Sequence, residues 1–210
     1  ITQTDASSTG VAVITVDAGG ENAIVVDPGA NGLANADDDI FSHEDFFEEA
    51  EVVVVQLEIP LSVVQATVRM AKRHNCQVIL DPAPVPADRA LPSELFNVDV
   101  ITPNIIEACQ LTGRKIGSAQ GLRSIAGDLI ARGAKAAIIT LGHQGAIVAT
   151  ADGDITRLHP YRIELENSTA AGDAFTGALA VGLAKGWDVI GAAHFANAAG
   201  ALACTQHGAM

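Results

Sequence analysis

From residue 52 onward, short unbroken aliphatic runs alternate with stretches whose apolar residues recur at helical spacing. Val52-Val53-Val54-Val55, Val78-Ile79-Leu80, Val98-Asp99-Val100-Ile101 and Ala136-Ala137-Ile138-Ile139-Thr140-Leu141 read as strands. Residues 61–74, with an apolar face at Val64, Val68 and Ala71, read as a helix, as do residues 105–111 and 122–132. A strand that is apolar at every position is covered on both faces. Such strands, separated by helices, predict a mostly parallel sheet between helical layers: an α/β fold. Two short strands, residues 146–149 and 155–158, flank the turn Asp152-Gly153-Asp154, and two helices, residues 174–185 and 189–204, complete the pattern. Trp187, just after Gly186, reads as a hydrophobic plug at the turn between them.

The first fifty residues read differently. Residues 11–16 and 23–26 form a hairpin around the turn Asp17-Ala18-Gly19-Gly20-Glu21-Asn22. Asp37-Asp38-Asp39 reads as a solvated loop, and residues 42–50 as a short acidic helix capped by Ser42. The expected division is therefore a hairpin unit over residues 1–30 and one α/β core over residues 31–210. Extended sequence starts almost at Ile1 and the chain stops abruptly at Met210, so both ends are expected to be cuts through a larger protein or a trimmed chain.

Charge and composition narrow the partners. With 12 Lys+Arg against 25 Asp+Glu the formal net charge is −13, which argues against nucleic acid and against an anionic membrane. It leaves open a small phosphate-bearing ligand held by backbone N–H groups and Mg²⁺. Hydrophobic residues make up 49% and aromatic residues only 4%, so the core is aliphatic. Cys76, Cys109 and Cys204 are scattered and odd in number, and the six histidines show no ligand spacing. Neither a disulfide framework nor a metal motif results, and a reducing cytoplasm is expected. No apolar run is long enough to span a membrane.

In an open parallel sheet, ligands bind beyond the carboxyl ends of the strands. That rule selects Gln56-Leu57-Glu58, Asp81, Thr102-Pro103-Asn104, Thr140-Leu141-Gly142 and the turn from Ala170 to Asp173. The last lies within Asn167-Ser168-Thr169-Ala170-Ala171-Gly172-Asp173-Ala174-Phe175, where three small residues precede a carboxylate at the start of an apolar helix. Small side chains admit a ligand close to the backbone, and the free N–H groups of a first helical turn attract anions. An Asp in that turn adds a base. A base for a hydroxyl and N–H groups for developing negative charge together suit phosphoryl transfer. Asp in a first turn also favours any helix, and small residues before a helix also serve tight packing.

Residues 168–179, Ser-Thr-Ala-Ala-Gly-Asp-Ala-Phe-Thr-Gly-Ala-Leu, resemble the C-terminal signature of ribokinase-like carbohydrate kinases. Gly20-Glu21-Asn22 with Gly29-Ala30-Asn31, Asp81-Pro82-Ala83-Pro84, the run Ile101-Thr102-Pro103-Asn104 through Glu107, and Ile139-Thr140-Leu141-Gly142 fall in that family's order. The resemblance covers essentially the whole chain and implies a three-layer αβα sheet with a β-hairpin lid remnant. By position, Asp173 would be the base for a sugar's primary hydroxyl, with the N–H groups of Ala170, Ala171 and Gly172 as the anion hole. Asn104 and Glu107 would place phosphate and Mg²⁺ through water. Thr140 and Gly142 would lie along the nucleotide phosphates, Glu58 would contact the sugar and Asn197 would sit at the adenine pocket. For each, a plain alternative stands: solvated carboxylates at a strand end or first turn, an ordinary strand-to-turn transition, a polar helix residue facing water.

The resemblance implies transfer of the ATP γ-phosphoryl group to a pentose, D-ribose giving ribose 5-phosphate, with a homodimer through lid strands in the full-length form. Another sugar or nucleoside kinase of the same family is the neighbouring reading. A noncatalytic remnant that binds nucleotide or only oligomerises is the reading from another class. The family has an N-terminal segment before the point matching Ile1, supplying a first strand, a Gly-rich sugar loop and half the lid; without it, open strand edges and exposed apolar faces are expected. The family also carries Asp where this chain has Asn167, a position that helps hold a monovalent cation. Asn keeps a carbonyl oxygen and loses the charge, so K⁺ should raise turnover only weakly. A potassium titration at constant ionic strength checks this, and strong stimulation would contradict it.

Overall fold

The computed structural model describes residues 3–16, 22–88, 91–115, 119–206 and 208. The turn expected at residues 17–21, with Gly20 and Glu21, lies outside them.

Within strands that looked uniformly apolar, alternate residues serve two cores. Strands β3 (Val52–Val55), β4 (Gln77–Leu80), β5 (Val100–Ile101), β6 (Ala136–Thr140), β7 (Ala146–Thr150) and β8 (Ile155–Leu158) form one sheet in that order. The first four are parallel, and β7 and β8 return antiparallel. On one face, Val78, Leu80, Ile101, Ala137 and Ile139 pack with helices α3 (Leu61–Arg73), α4 (Ile105–Thr112) and α5 (Ala119–Ala131). On the other, Ile79, Val100, Ala136, Ile138 and Val148 pack with α6 (Ala171–Ala184) and α7 (Val189–Ala203). The period-2 projection of side chains makes one strand feed both layers. The result is the expected three-layer αβα sheet, and Val64, Val68 and Ala71 form the buried face of α3.

The hairpin is a separate two-stranded sheet, β1 (Val11–Val16) and β2 (Asn22–Asp27). Val13 stands opposite Val25 and Ala12 opposite Val26. Val11, Val13, Ile14, Val25 and Val26 are all exposed, so apolar side chains stand on both faces of the ribbon.

Several local expectations need correction. Ser42 does not cap a helix: it lies in a 3₁₀ turn, Phe41–His43, and its hydroxyl donates to the Asp37 carbonyl at 2.8 Å. The helix itself, α2 (Glu44–Glu49), starts two residues later. Asp37, Asp38 and Asp39 are not loop but part of a one-turn helix, α1 (Ala36–Asp39). Asn35 caps it by accepting the Asp38 N–H at 2.9 Å, and three acids suit a first turn. Strand β5 is shorter than expected, covering Val100–Ile101; just before it Asp99 bonds both neighbours through its backbone, and its side chain accepts the Val78 N–H at 2.9 Å and pairs with Lys135 at 2.6 Å. Helix α6 begins at Ala171 rather than at Ala174. Trp187 is no buried plug: it is 44% exposed and meets Phe195 edge-on.

Among the described residues, β3 has no partner on its outer edge. A groove of about 420 Å³ lies there, lined by Asp39, His43, Phe46, Phe47, Ala50, Val52 and Val53. Phe46 is 64% exposed and Val54 43% exposed, and His43 Nδ1 is buried without a hydrogen-bond partner. An apolar open edge is a template for further pairing, and a lysine placed on it opposes pairing. The 210-residue chain is therefore expected to self-associate in sedimentation velocity, and Val54→Lys to weaken that association by about tenfold, or about 1.4 kcal/mol. A monomer at every concentration would refute this.

Candidate active site

Because β3 to β6 are parallel neighbours, their carboxyl ends share one edge of the sheet. The exits are stitched together by backbone hydrogen bonds. Leu57 N–H donates to the Ala83 carbonyl at 3.0 Å, Asp81 N–H to Val55 at 2.9 Å, Thr102 N–H to Leu80 at 2.9 Å and Thr140 N–H to Pro103 at 3.1 Å. An isolated parallel bridge joins Asn104 to Thr140. Thus Glu58, Asp81, Asn104 and Thr140 form a continuous rim, and Gly142 continues it into a 3₁₀ turn with φ 57°. Glu58, Asn104 and Gly142 are exposed and Thr140 is half-buried.

Asn104 and Glu107 are mutually bonded at the start of α4. The Asn104 side-chain oxygen accepts the Glu107 N–H at 2.9 Å, and Glu107 Oε2 accepts the Asn104 N–H at 2.8 Å. This capping box satisfies two orphan N–H groups and holds one Glu107 oxygen. Burial pushes the Glu107 carboxyl above its ordinary value, and the bonds to Asn104 pull the other way.

Helix α6 reaches the same rim from the opposite layer, lying across β3 and β4. Its N-cap, Ala170, has φ 60° and ψ 9°, a left-handed conformation that costs a residue with a Cβ about 1–2 kcal/mol. Ala171 N–H bends back to the Ser168 carbonyl at 3.3 Å. Among the described residues, no protein acceptor meets the N–H groups of Ala170, Gly172 or Asp173. Of the three N–H groups expected to act together, that of Ala171 is engaged within the turn, while those of Ala170 and Gly172, with that of Asp173, are not. The Asp173 side chain, third in the helix, is exposed beside them.

Asp81, which the sequence places at a strand exit and at the head of the run Asp81-Pro82-Ala83-Pro84, joins the two layers. It is 8% exposed, and Thr176 of α6 donates its hydroxyl to Asp81 Oδ2 at 3.4 Å. Burial first, then the charge of Glu107, pushes the Asp81 carboxyl up to about 7. Asp173 and Glu58 add smaller repulsions, and the Thr176 bond opposes the rise. Four carboxylates from β3, β4, α4 and α6 thus share one electrostatic field. Its position after β4, beside Pro82, was the available signal; no pattern in the chain announced its burial.

Asn197 of α7 is half-buried, and its Nδ2 donates to the His159 carbonyl at 2.8 Å. His159 follows β8, whose carboxyl end lies on the same side of the sheet as that of β6. Asn197 therefore sits at the rim as an anchor for the segment leaving β8 rather than as a side chain in water. Asn167 is half-buried and its Oδ1 accepts the Thr169 N–H at 2.7 Å.

Residues 1–210 match the family described as pfkB family carbohydrate kinase. The chain belongs to that family. A ribokinase of Staphylococcus aureus is 37% identical over 211 residues, covering 100% of this chain and 68% of that protein. A deoxyribokinase of Salmonella typhi is 32% identical over 174 residues, covering 83% of this chain and 56% of that protein. The structure of Arabidopsis thaliana ribokinase complexed with ribose and ATP superposes with a TM-score of 0.85 at 27% identity, covering 97% of this chain and 65% of that one. The chain thus spans about two thirds of the length of these ribokinases.

For this pfkB-family chain the Asp81 environment sets a pH dependence. A carboxyl whose pKa is raised on folding favours the folded state below the unfolded pKa of about 4, and this contribution is lost as pH rises through the folded value. Asp81 therefore costs stability increasingly between pH about 4 and about 7. Asp81→Asn keeps an acceptor for Thr176 and removes the charge. It should be near neutral at pH 4 and more stable than the parent at pH 8, by on the order of 1–3 kcal/mol in urea unfolding. Equal effects at both pH values would show that Asp81 carries no such penalty.

Proposed function

We propose that this chain is the nucleotide-binding and catalytic part of an ATP-dependent kinase that phosphorylates the primary hydroxyl of a pentose, ribose first. The observation that carries this reading is the first turn of α6. There a solvent-accessible carboxylate, Asp173, stands next to N–H groups with no acceptor among the described residues. Asp173 takes the proton of the attacking hydroxyl. The N–H groups of Ala170, Gly172 and Asp173 meet the negative charge that develops on the transferred phosphoryl group. Catalysis of this kind is mainly positioning and charge stabilisation.

The other rim residues take supporting roles in the same reading. Glu58 contacts the sugar, Thr140 and Gly142 lie along the nucleotide phosphates, and Asn197 with the segment it anchors borders the base. The donor set also fits Mg²⁺ held at a distance: the charges of Glu107, Asp173 and Glu58 raise the proton affinity of Asp81, yet among the described residues no three acidic, His or Cys side chains converge closely enough to ligate an ion directly. Glu107 and Asn104 would therefore hold Mg²⁺ through water, and the ion would screen the phosphate charges that the rim repels. Asn167 offers one neutral oxygen to a monovalent cation, already shared with Thr169.

The hairpin, taken as a unit over residues 1–30 beside a core over residues 31–210, would cover the sugar. Its two exposed apolar faces suit pairing with a second subunit, and a reducing cytoplasm suits three free thiols. The deoxyribokinase relative supports testing a sugar without its 2-hydroxyl. The rival reading, a noncatalytic nucleotide-binding remnant, is favoured by the open β3 edge.

The test is ADP release with Mg²⁺ and ATP, with ribose or 2-deoxyribose, beside Asp173→Asn. Turnover should depend on the sugar, and the substitution should lower kcat by about 10²–10⁴-fold. No turnover by protein whose circular dichroism shows it folded would favour the remnant reading.

A further inference from the structure

We propose that Asn167 is the positioning residue of the α6 anion cradle: its side-chain carbonyl, with the carbonyl of Cys204, clamps the turn that aims the free N–H groups. The proposal rests on the phosphoryl-transfer reading of that turn. Three bonds define the clamp. Thr169 N–H donates to Asn167 Oδ1 at 2.7 Å. Glu166 and Asn167 N–H both donate to the Cys204 carbonyl, at 2.9 and 3.3 Å. Cys204 caps the end of α7, so the segment entering α6 is tied to the last turn of the helix beside it.

The turn needs holding. Ala170 is in the left-handed region, where a Cβ is disfavoured, and a free chain would relax out of it. On the α7 side, a Cβ built on Gly200 would meet the Ala171 carbonyl oxygen at 3.1 Å and Phe175 Cβ at 3.5 Å. Backbone therefore packs against backbone, and the turn has little room to move in that direction. Asn167 Oδ1 takes the Thr169 N–H, so this donor is engaged within the turn. The next donors, those of Ala170 and Gly172, have no protein acceptor among the described residues. Asn167 itself need not touch a ligand to control them.

The geometry requires an acceptor at the Asn167 Oδ1 position, not an amide as such. Asn167→Ala removes the acceptor, Asn167→Asp retains it, and Asn167→Gln moves it out by one methylene. The first readout is the ¹⁵N amide shift of Ala170 and Gly172 in the full 210-residue chain on titration with inorganic phosphate. Asn167→Ala should weaken phosphate binding by about tenfold, and Asn167→Asp should recover most of that loss. If Asn167→Ala fails to fold, Asn167→Gln carries the same comparison. The second readout is sugar-dependent turnover, where loss of aim should lower kcat by about 10²-fold with KM values nearly unchanged. Phosphate binding by Asn167→Ala equal to the parent, or an Asn167→Asp chain as impaired as Asn167→Ala, would overturn the proposal. An Asn167-dependent phosphate response in a folded chain without turnover would uphold the clamp and overturn the kinase reading instead. Turnover that survives Asn167→Ala with kcat intact would overturn the clamp alone.

Discussion

Parallel pairing of β3, β4, β5 and β6 is the constraint on which the rest depends. Each strand hydrogen-bonds its neighbour in register, Val55 to Leu80, Leu80 to Ile101 and Ile101 to Ala137. All four chains therefore leave the sheet at one edge. Parallel strands need crossovers: α3 joins β3 to β4, and α4 with α5 joins β5 to β6, covering one face of the sheet, while β4 reaches β5 through a loop with a 3₁₀ turn, Ser93–Phe96. Without that pairing Glu58, Asp81, Asn104 and Thr140 would be four unrelated polar residues at four chain turns.

Convergence has an electrostatic cost, and the fold concentrates it on Asp81. The other acids retain access to water or to N–H groups. Glu58 and Asp173 are exposed, and Glu107 shares its charge with the Asn104 N–H. Asp81 lies beneath them with a single hydroxyl from Thr176. A carboxyl so placed is stabilised in its protonated form by burial and by its neighbours' charges. Strain in backbone form sits nearby, at Ala170. A buried carboxyl and a left-handed alanine thus fall near one rim, the kind of local cost that gathers at functional sites.

The second layer works through contact between small residues. A Cβ built on Gly182 would meet Ala192 Cβ at 2.8 Å, and Gly200 lies against the Ala171 carbonyl. Helices α6 and α7 thus approach closely at two points along their length. The start of α6 inherits its position from α7 as much as from the sheet, and the Cys204 carbonyl extends that dependence to the residues that precede it.

The sequence alone determined the layers and the edge where the site lies. Continuous aliphatic strands such as residues 136–141 can only be buried on both faces, and their polar exits identify the rim. Local chemistry legible in a few residues, such as the small residues before Asp173, survived into the structure because helix starts depend on near neighbours. Ser42 and the three acids at 37–39 were misread because capping there is decided by which carbonyl or N–H comes within reach. Tertiary structure alone decided that Asp81 would be buried beside three other acids and that Asn197 would hold the His159 carbonyl. These outcomes depend on distances between residues far apart in the chain, and a pattern of residue types carries no information about such distances until the strands have paired.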